Sequence, residues 1–262
     1  MPGGQVRASV RRWRPGSTSG TILKGFDLRR LANLGARGAA SIADQGATAA
    51  ISFLASVFIG RHMGAEPLGI YAITNVFVSL IRALQSSLLL EPMSVYGPRR
   101  TSEEQDGYFS FLVGLETVWV GGLMLLMIGV SAAVWALGRI EAPVLYALWA
   151  SAVFSFLSCF QFFLRRQFYI EFRQYLAMIQ SLAFLLLVMA GFAAMWSFGA
   201  WTVVDVYVLL CICSVVVCLV QGGRFWHRLT MPNRRDVRLY GREHWSYGKW
   251  ILLTVPLGIA PP

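Results

Sequence analysis

Residues 175–198 read YLAMIQSLAFLLLVMAGFAAMWSF, an unbroken run with no charged side chain. A helix that crosses a hydrocarbon core of roughly 30 Å needs about 20 mostly apolar residues. In lipid every backbone polar group must be satisfied internally, so such a segment is a helix and not an isolated strand. Five further runs of this kind lie on either side of it, at 39–60, 68–90, 108–137, 143–164 and 201–221. A seventh begins near Ser246. The sequence therefore predicts an all-α, polytopic transmembrane helix bundle.

Composition agrees with this reading. Of 262 residues, 56% are hydrophobic and 14% charged, against roughly 25% charged in soluble domains. An ordinary soluble enzyme, a disordered chain and a disulfide scaffold are all poor fits to these figures. The net charge of +10 would suit nucleic acid if the 23 basic residues formed a patch. Instead they sort by loop. Arg7, Arg11, Arg12, Arg14, Lys24, Arg29, Arg30 and Arg37 precede the first run, and Arg99 and Arg100 follow the second. Arg165, Arg166 and Arg173 follow the fourth, and Arg224, Arg228, Arg234, Arg235, Arg238, Arg242 and Lys249 follow the sixth. The alternate connections hold only Arg61 and Arg139, and Arg82 lies inside a run. The positive-inside rule then predicts a cytoplasmic N-terminus and alternating loops. Four segments result: a basic cytoplasmic tail (1–38), a six-helix lobe (39–221), a basic cytoplasmic linker (222–245) and the start of a seventh helix (246–262). Tail and linker are expected to attract anionic lipid headgroups; no nucleic-acid partner is expected. The first apolar run begins too far in and is too long for a secretory signal.

No enzyme chemistry is expected. Cys159, Cys211, Cys213 and Cys218 lie within apolar runs, and Cys211 and Cys213 point to different helix faces. His62, His227 and His244 have no ligand spacing. Neither a metal nor a cofactor is anticipated.

The informative residues are the polar ones inside the runs. Ser41, Asp44, Thr48, Ser52 and Ser56 share one helical face, as do Asn75, Ser79, Arg82 and Ser86. Ser110, Gly114, Thr117 and Gly121, with Glu116 beside them, form a weaker stripe, and Ser151, Ser155 and Ser158 form another. Small and hydroxyl residues at this spacing suit helix packing. Packing does not account for Asp44, Arg82 and Glu116, because a charge near the bilayer centre costs at least ~2.5–3.5 kcal/mol. Counted along their helices, the three are expected in one layer, roughly 7–12 Å from the cytoplasmic ends. Two readings stay open: a structural ion pair, or a solvated cavity in which Arg82 offers an anion site.

Three stretches carry a family resemblance: Ile42-Ala-Asp-Gln-Gly46, Ile59-Gly-Arg-His-Met-Gly-Ala-Glu-Pro-Leu-Gly-Ile-Tyr71 and Leu89-Leu-Glu-Pro-Met-Ser-Val-Tyr-Gly97. With the helix spacing, residues 30–260 resemble the N-terminal half of bacterial polysaccharide biosynthesis membrane proteins. These are the O-antigen and exopolysaccharide flippases of the multidrug/oligosaccharidyl-lipid/polysaccharide exporter superfamily. Read by their chemistry alone, Gly64 and Gly69 bracket a short external turn, Glu66 and Pro67 start the next helix, and Glu91-Pro92 ends it.

The resemblance implies one lobe of a two-lobed exporter fold in the bacterial inner membrane, working by alternating access. The implied cargo is a polyprenyl-pyrophosphate-linked oligosaccharide. Substrate contacts are then expected at Arg82, Asn75 and Ser79, and ion coupling at Asp44 and Glu116. The chain stops just after the seventh helix begins, so the second lobe is expected to be missing. A fragment, a truncated product and a half-transporter that pairs with a second copy all fit. Rival readings are a cation-coupled multidrug exporter of the same superfamily and a non-transporting scaffold for polysaccharide-assembly proteins.

Overall fold

The computed structural model describes residues 28–253 apart from Ala200, Arg224 and Pro232. The chain divides into two units, 1–36 and 37–262. Of the first, residues 28–36 are described, and they are helical. Expectations placed on 1–27 and 254–262 lie outside the described residues.

Among the described residues the fold is helical throughout, with no strand. The helices are α1 (Leu28–His62), α2 (Ala65–Gln85), α3 (Glu91–Tyr96), α4 (Ser102–Ala136), α5 (Ala142–Ile170), α6 (Gln174–Phe198), α7 (Val203–Gly222) and α8 (Arg234–Leu252). Six segments are long and apolar enough to cross a membrane: Gly38–His62, Ala65–Arg99, Glu104–Ala136, Ala142–Ile170, Gln174–Ser197 and Val203–Gly222. They coincide with the six apolar runs, and the protein is a multi-pass membrane protein. Helix α5 is the hub, packing against α2, α4, α6 and α7. Its Ser151, Ser155 and Ser158 are fully buried, and each hydroxyl donates to a carbonyl of α5 itself, three or four residues back. They behave as packing residues. Helix α4 is the opposite case: Val118, Leu125, Leu126 and Val130 stand exposed, an apolar face suited to lipid.

The weaker α4 stripe divides. Ser110 is buried and accepts from the Thr230 backbone N–H at 2.8 Å, whereas Gly114 and Thr117 are exposed. Between α1 and α2 the turn is tighter than the glycine pair suggests. Gly64 alone takes a left-handed backbone, φ 96°, while Gly69 is helical. Glu66 lies in the first turn of α2, where its charge meets the positive end of the helix dipole.

The second span does not end at Glu91-Pro92. Residues Ser86–Leu90 widen into a π-turn in which the Glu91 N–H bonds the Ser86 carbonyl. The chain then continues through α3 and a 3₁₀ turn, Gly97–Arg99. Proline has no N–H for the carbonyl four residues back and its ring clashes there; a π-turn moves that carbonyl out of the α register. Glu91 instead holds the neighbouring span, its Oε1 accepting from Arg166 at 3.2 Å while Ser94 accepts from Arg166 Nε at 2.6 Å.

Helix α8 starts at Arg234, inside the stretch 222–245 that the sequence suggests is linker, and passes the expected boundary at 246 without a break. The Asn233 side chain caps it by accepting from the Arg235 N–H. Its Tyr240, His244 and Gly248 are buried against the π-turn, α3 and the first turns of α4. Arg100 locks this junction, ion-paired with Glu243 and stacked on the rings of Tyr108 and Tyr240 at 5.2 and 4.6 Å.

Candidate anion site

Arg82 stands at the midpoint of the Ala65–Arg99 span, because the span runs on past the π-turn. Counted along the chain, it is therefore farther from the end of its apolar segment than a helix ending near residue 90 would put it. Its guanidinium lies 4.8 Å from the ring centre of Phe162 and 5.7 Å from that of Phe154, both on α5. Nε is buried and has no acceptor. Among the described residues no carboxylate pairs with Arg82.

The expected layer of three mixed charges is not what forms. Glu116 is fully buried and its Oε1 accepts from Gln85 Nε2 at 2.7 Å. The same Gln85 nitrogen also donates to the Cys159 carbonyl, while Glu116 Oε2 has no partner. Gln85 is the residue just before the π-turn. The Arg82–Glu116 pair, one of the two open readings, is thus replaced by a Gln85–Glu116 pair.

Asp44 is fully buried as well, and its partners come from two other helices. Oδ2 accepts from the Tyr169 hydroxyl at 2.6 Å, and Oδ1 accepts from Ser181 and from Arg165 Nη1, the latter at 3.5 Å. Arg165 Nη1 also donates to Thr48 Oγ1 at 2.7 Å, and Thr48 donates to the Asp44 carbonyl. With both oxygens engaged, this carboxylate serves as an anchor for Arg165.

Arg165, Thr48 and Ser181 line a cavity of about 40 Å³ together with Arg82, Ser52, Asn75 and Gln161, and apolar side chains such as Ile51, Phe162 and Leu210 complete its walls. That volume suits a few waters or one small oxyanion group. Arg82 and Arg165 share one ring, Arg165 lying 4.4 Å from the centre of Phe162. Two guanidiniums against the single carboxylate of Asp44 leave the cavity one positive charge in excess. Forked N–H donors beside a small void of mixed lining match the oxygens of phosphate or carboxylate. Of the expected contacts, Asn75 and Arg82 line this void. Ser79 lies outside the lining and is exposed.

Arg165 is the cavity residue that loop counting hides. It follows an apolar run ending at 164, yet α5 continues to Ile170. Gln161, Arg165 and Tyr169 recur every four residues, prolonging the Ser151–Ser155–Ser158 face, and that period was the available signal.

Among the described residues no cluster of His, Cys, Asp and Glu is arranged to hold a metal. No family profile, curated protein or solved structure matches this chain. Fold and site together define its class: a multi-pass, all-α membrane protein with an arginine-lined cavity buried among its spans.

Proposed function

We propose that this bundle is one lobe of a flippase for polyprenyl-pyrophosphate-linked oligosaccharide in the bacterial inner membrane, N-terminus in the cytoplasm. The observation that carries the proposal is Arg82: a guanidinium within an apolar span, lining a small cavity, with no carboxylate partner among the described residues. A charge kept there without compensation costs several kcal/mol, which a substrate anion would offset. Arg165, held by Asp44, supplies the second fork, and together they would grip the pyrophosphate. Glu116, with one oxygen free of partners, is the better remaining candidate for ion coupling. The cavity is far too small for a glycan, so the sugars would lie beyond it. Ser52, on the cavity lining, is exposed on α1 and would supply a polar border where a facing lobe closes the site.

A multidrug exporter for cations fits less well. The carboxylate at the cavity, Asp44, is already saturated by three donors, and the excess charge has the wrong sign.

The test is binding by the purified full chain of geranylgeranyl pyrophosphate against geranylgeraniol. Arg82→Gln should lose at least ten-fold in affinity for the pyrophosphate and leave the alcohol unaffected. Equal binding of both lipids by the wild-type protein would remove the anion site from the proposal.

A further inference from the structure

Helix α8 turns Tyr240, His244 and Gly248 into the bundle, and on the side away from them it carries a basic stripe. At 100° per residue, Arg235, Arg238, Arg242, Trp245 and Lys249 fall within an arc of about 80°, centred about 140° from the buried face. All five are exposed. Neither acidic residue of the helix lies in the arc: Asp236 is to one side, and Glu243 is taken by Arg100. None of the three arginines has an ion-pair partner among the described residues. Arg234, Arg235, Arg238 and Arg242, with Leu239, border an open groove of about 560 Å³.

The position of the stripe selects its partner. The buried face of α8 rests on the π-turn and α3, the final stretch of a membrane span. The open face therefore lies about one helix diameter, ~10 Å, from that final stretch. Arg99 and Arg100 close the same end of the span, and basic residues beside an apolar run mark the headgroup region. Trp245 and Trp250 are exposed there, and tryptophan favours the membrane interface while basic side chains reach for phosphate. Nucleic acid would account for the arginines but not for tryptophans at this height.

We infer that the open face of α8 is a binding surface for acidic phospholipid headgroups in the leaflet at this end of the bundle. It is independent of the cavity around Arg82. Each basic residue close to an anionic leaflet contributes roughly five-fold in affinity, so three charges are enough for a readable preference.

The experiment uses the full chain in neutral detergent, titrated with dioctanoyl phosphatidylglycerol and dioctanoyl phosphatidylcholine and read by native mass spectrometry. The wild-type protein should prefer the acidic lipid by at least ten-fold. The Arg235→Gln/Arg238→Gln/Arg242→Gln variant should lose that preference, and the Arg61→Gln/Arg139→Gln control should keep it. In nanodiscs, quenching by brominated lipid should be weaker in Trp245→Phe than in the wild type. A preference that survives in the triple variant would overturn the inference. So would displacement of the lipid by inorganic phosphate at equal concentration, or by a short single-stranded oligonucleotide, or quenching unchanged in Trp245→Phe.

Discussion

His244 Nδ1 lies 3.2 Å from the carbonyl oxygen of Leu88, the carbonyl that Pro92, four residues on, cannot supply with an α-helical N–H. A carbonyl only accepts, so Nδ1 carries the proton, and Nε2 accepts from the Tyr108 hydroxyl at 2.7 Å. One imidazole thus repairs the proline defect and pins α8 to the span. The groups around it are Tyr108 and Arg100 from the α4 side, Tyr96 from α3, and Tyr240 and Glu243 from α8 itself.

This arrangement makes the docking of α8 sensitive to acid. Burial pushes His244 below the ordinary histidine value of 6.5; the charge of Arg100 acts in the same direction, and the bond to Leu88 opposes them. The undocked imidazole therefore takes up a proton before the docked one does. Docking is at full strength above about pH 6.5 and weakens as pH falls from there towards the lower, docked value. Exchange protection across 234–252, taken relative to the intrinsic amide rate at each pH, should fall as pH drops from 7.5 to 5 in the wild type. It should be level with pH in His244→Gln.

Close packing at Gly248 gives a second prediction. A Cβ there would meet the Ser87 carbonyl oxygen and Leu88 Cδ2 at 3.0 Å and Leu88 Cα at 3.2 Å, and backbone atoms do not move aside cheaply. Gly248→Ala gains up to ~1 kcal/mol in helix propensity but loses ~1–3 kcal/mol to overpacking, so α8 should loosen. Gly241, on the same helix with nothing within 4 Å, should behave oppositely. Gly241→Ala is expected to stabilise, and limited proteolysis of the α8 segment will separate the two.

The charge pairing is open to double-mutant cycles on thermal stability. Asp44→Asn and Arg165→Gln should couple by ~0.5–3 kcal/mol, because they remove one shared contact. Arg82→Gln and Glu116→Gln should add to within ~0.5 kcal/mol, since neither residue bonds the other. Gln85→Leu should cost ~1–3 kcal/mol by stripping Glu116 of its donor. Strong coupling between Arg82 and Glu116 would contradict the geometry described above.

Topology gives the fourth prediction. Reporter fusions after residues 64, 140 and 199 should read outside, and those after 100, 170 and 235 inside. A pattern that fails to alternate would contradict the six-span assignment, and a uniformly reversed one would contradict the orientation drawn from the basic residues.

Hydropathy alone determined that the described residues are helical, that six of their segments are long and apolar enough to cross a membrane, and roughly where each lies. Insertion into lipid is decided segment by segment, from apolar content and length. Helical periodicity also put Asn75 and Arg82 on one face, and it grouped Asp44, Arg82 and Glu116 in one layer that the structure divides among separate partners. It could not say which helix faces which stripe. Only the tertiary structure paired Asp44 with Arg165, Glu116 with Gln85 and His244 with Leu88, because each of those contacts joins segments far apart in the chain. It also carried the second span past Pro92, where a proline would end an isolated helix. There a histidine from α8 supplies the missing donor, and a hydrogen bond across more than 150 residues leaves no periodic trace in the sequence.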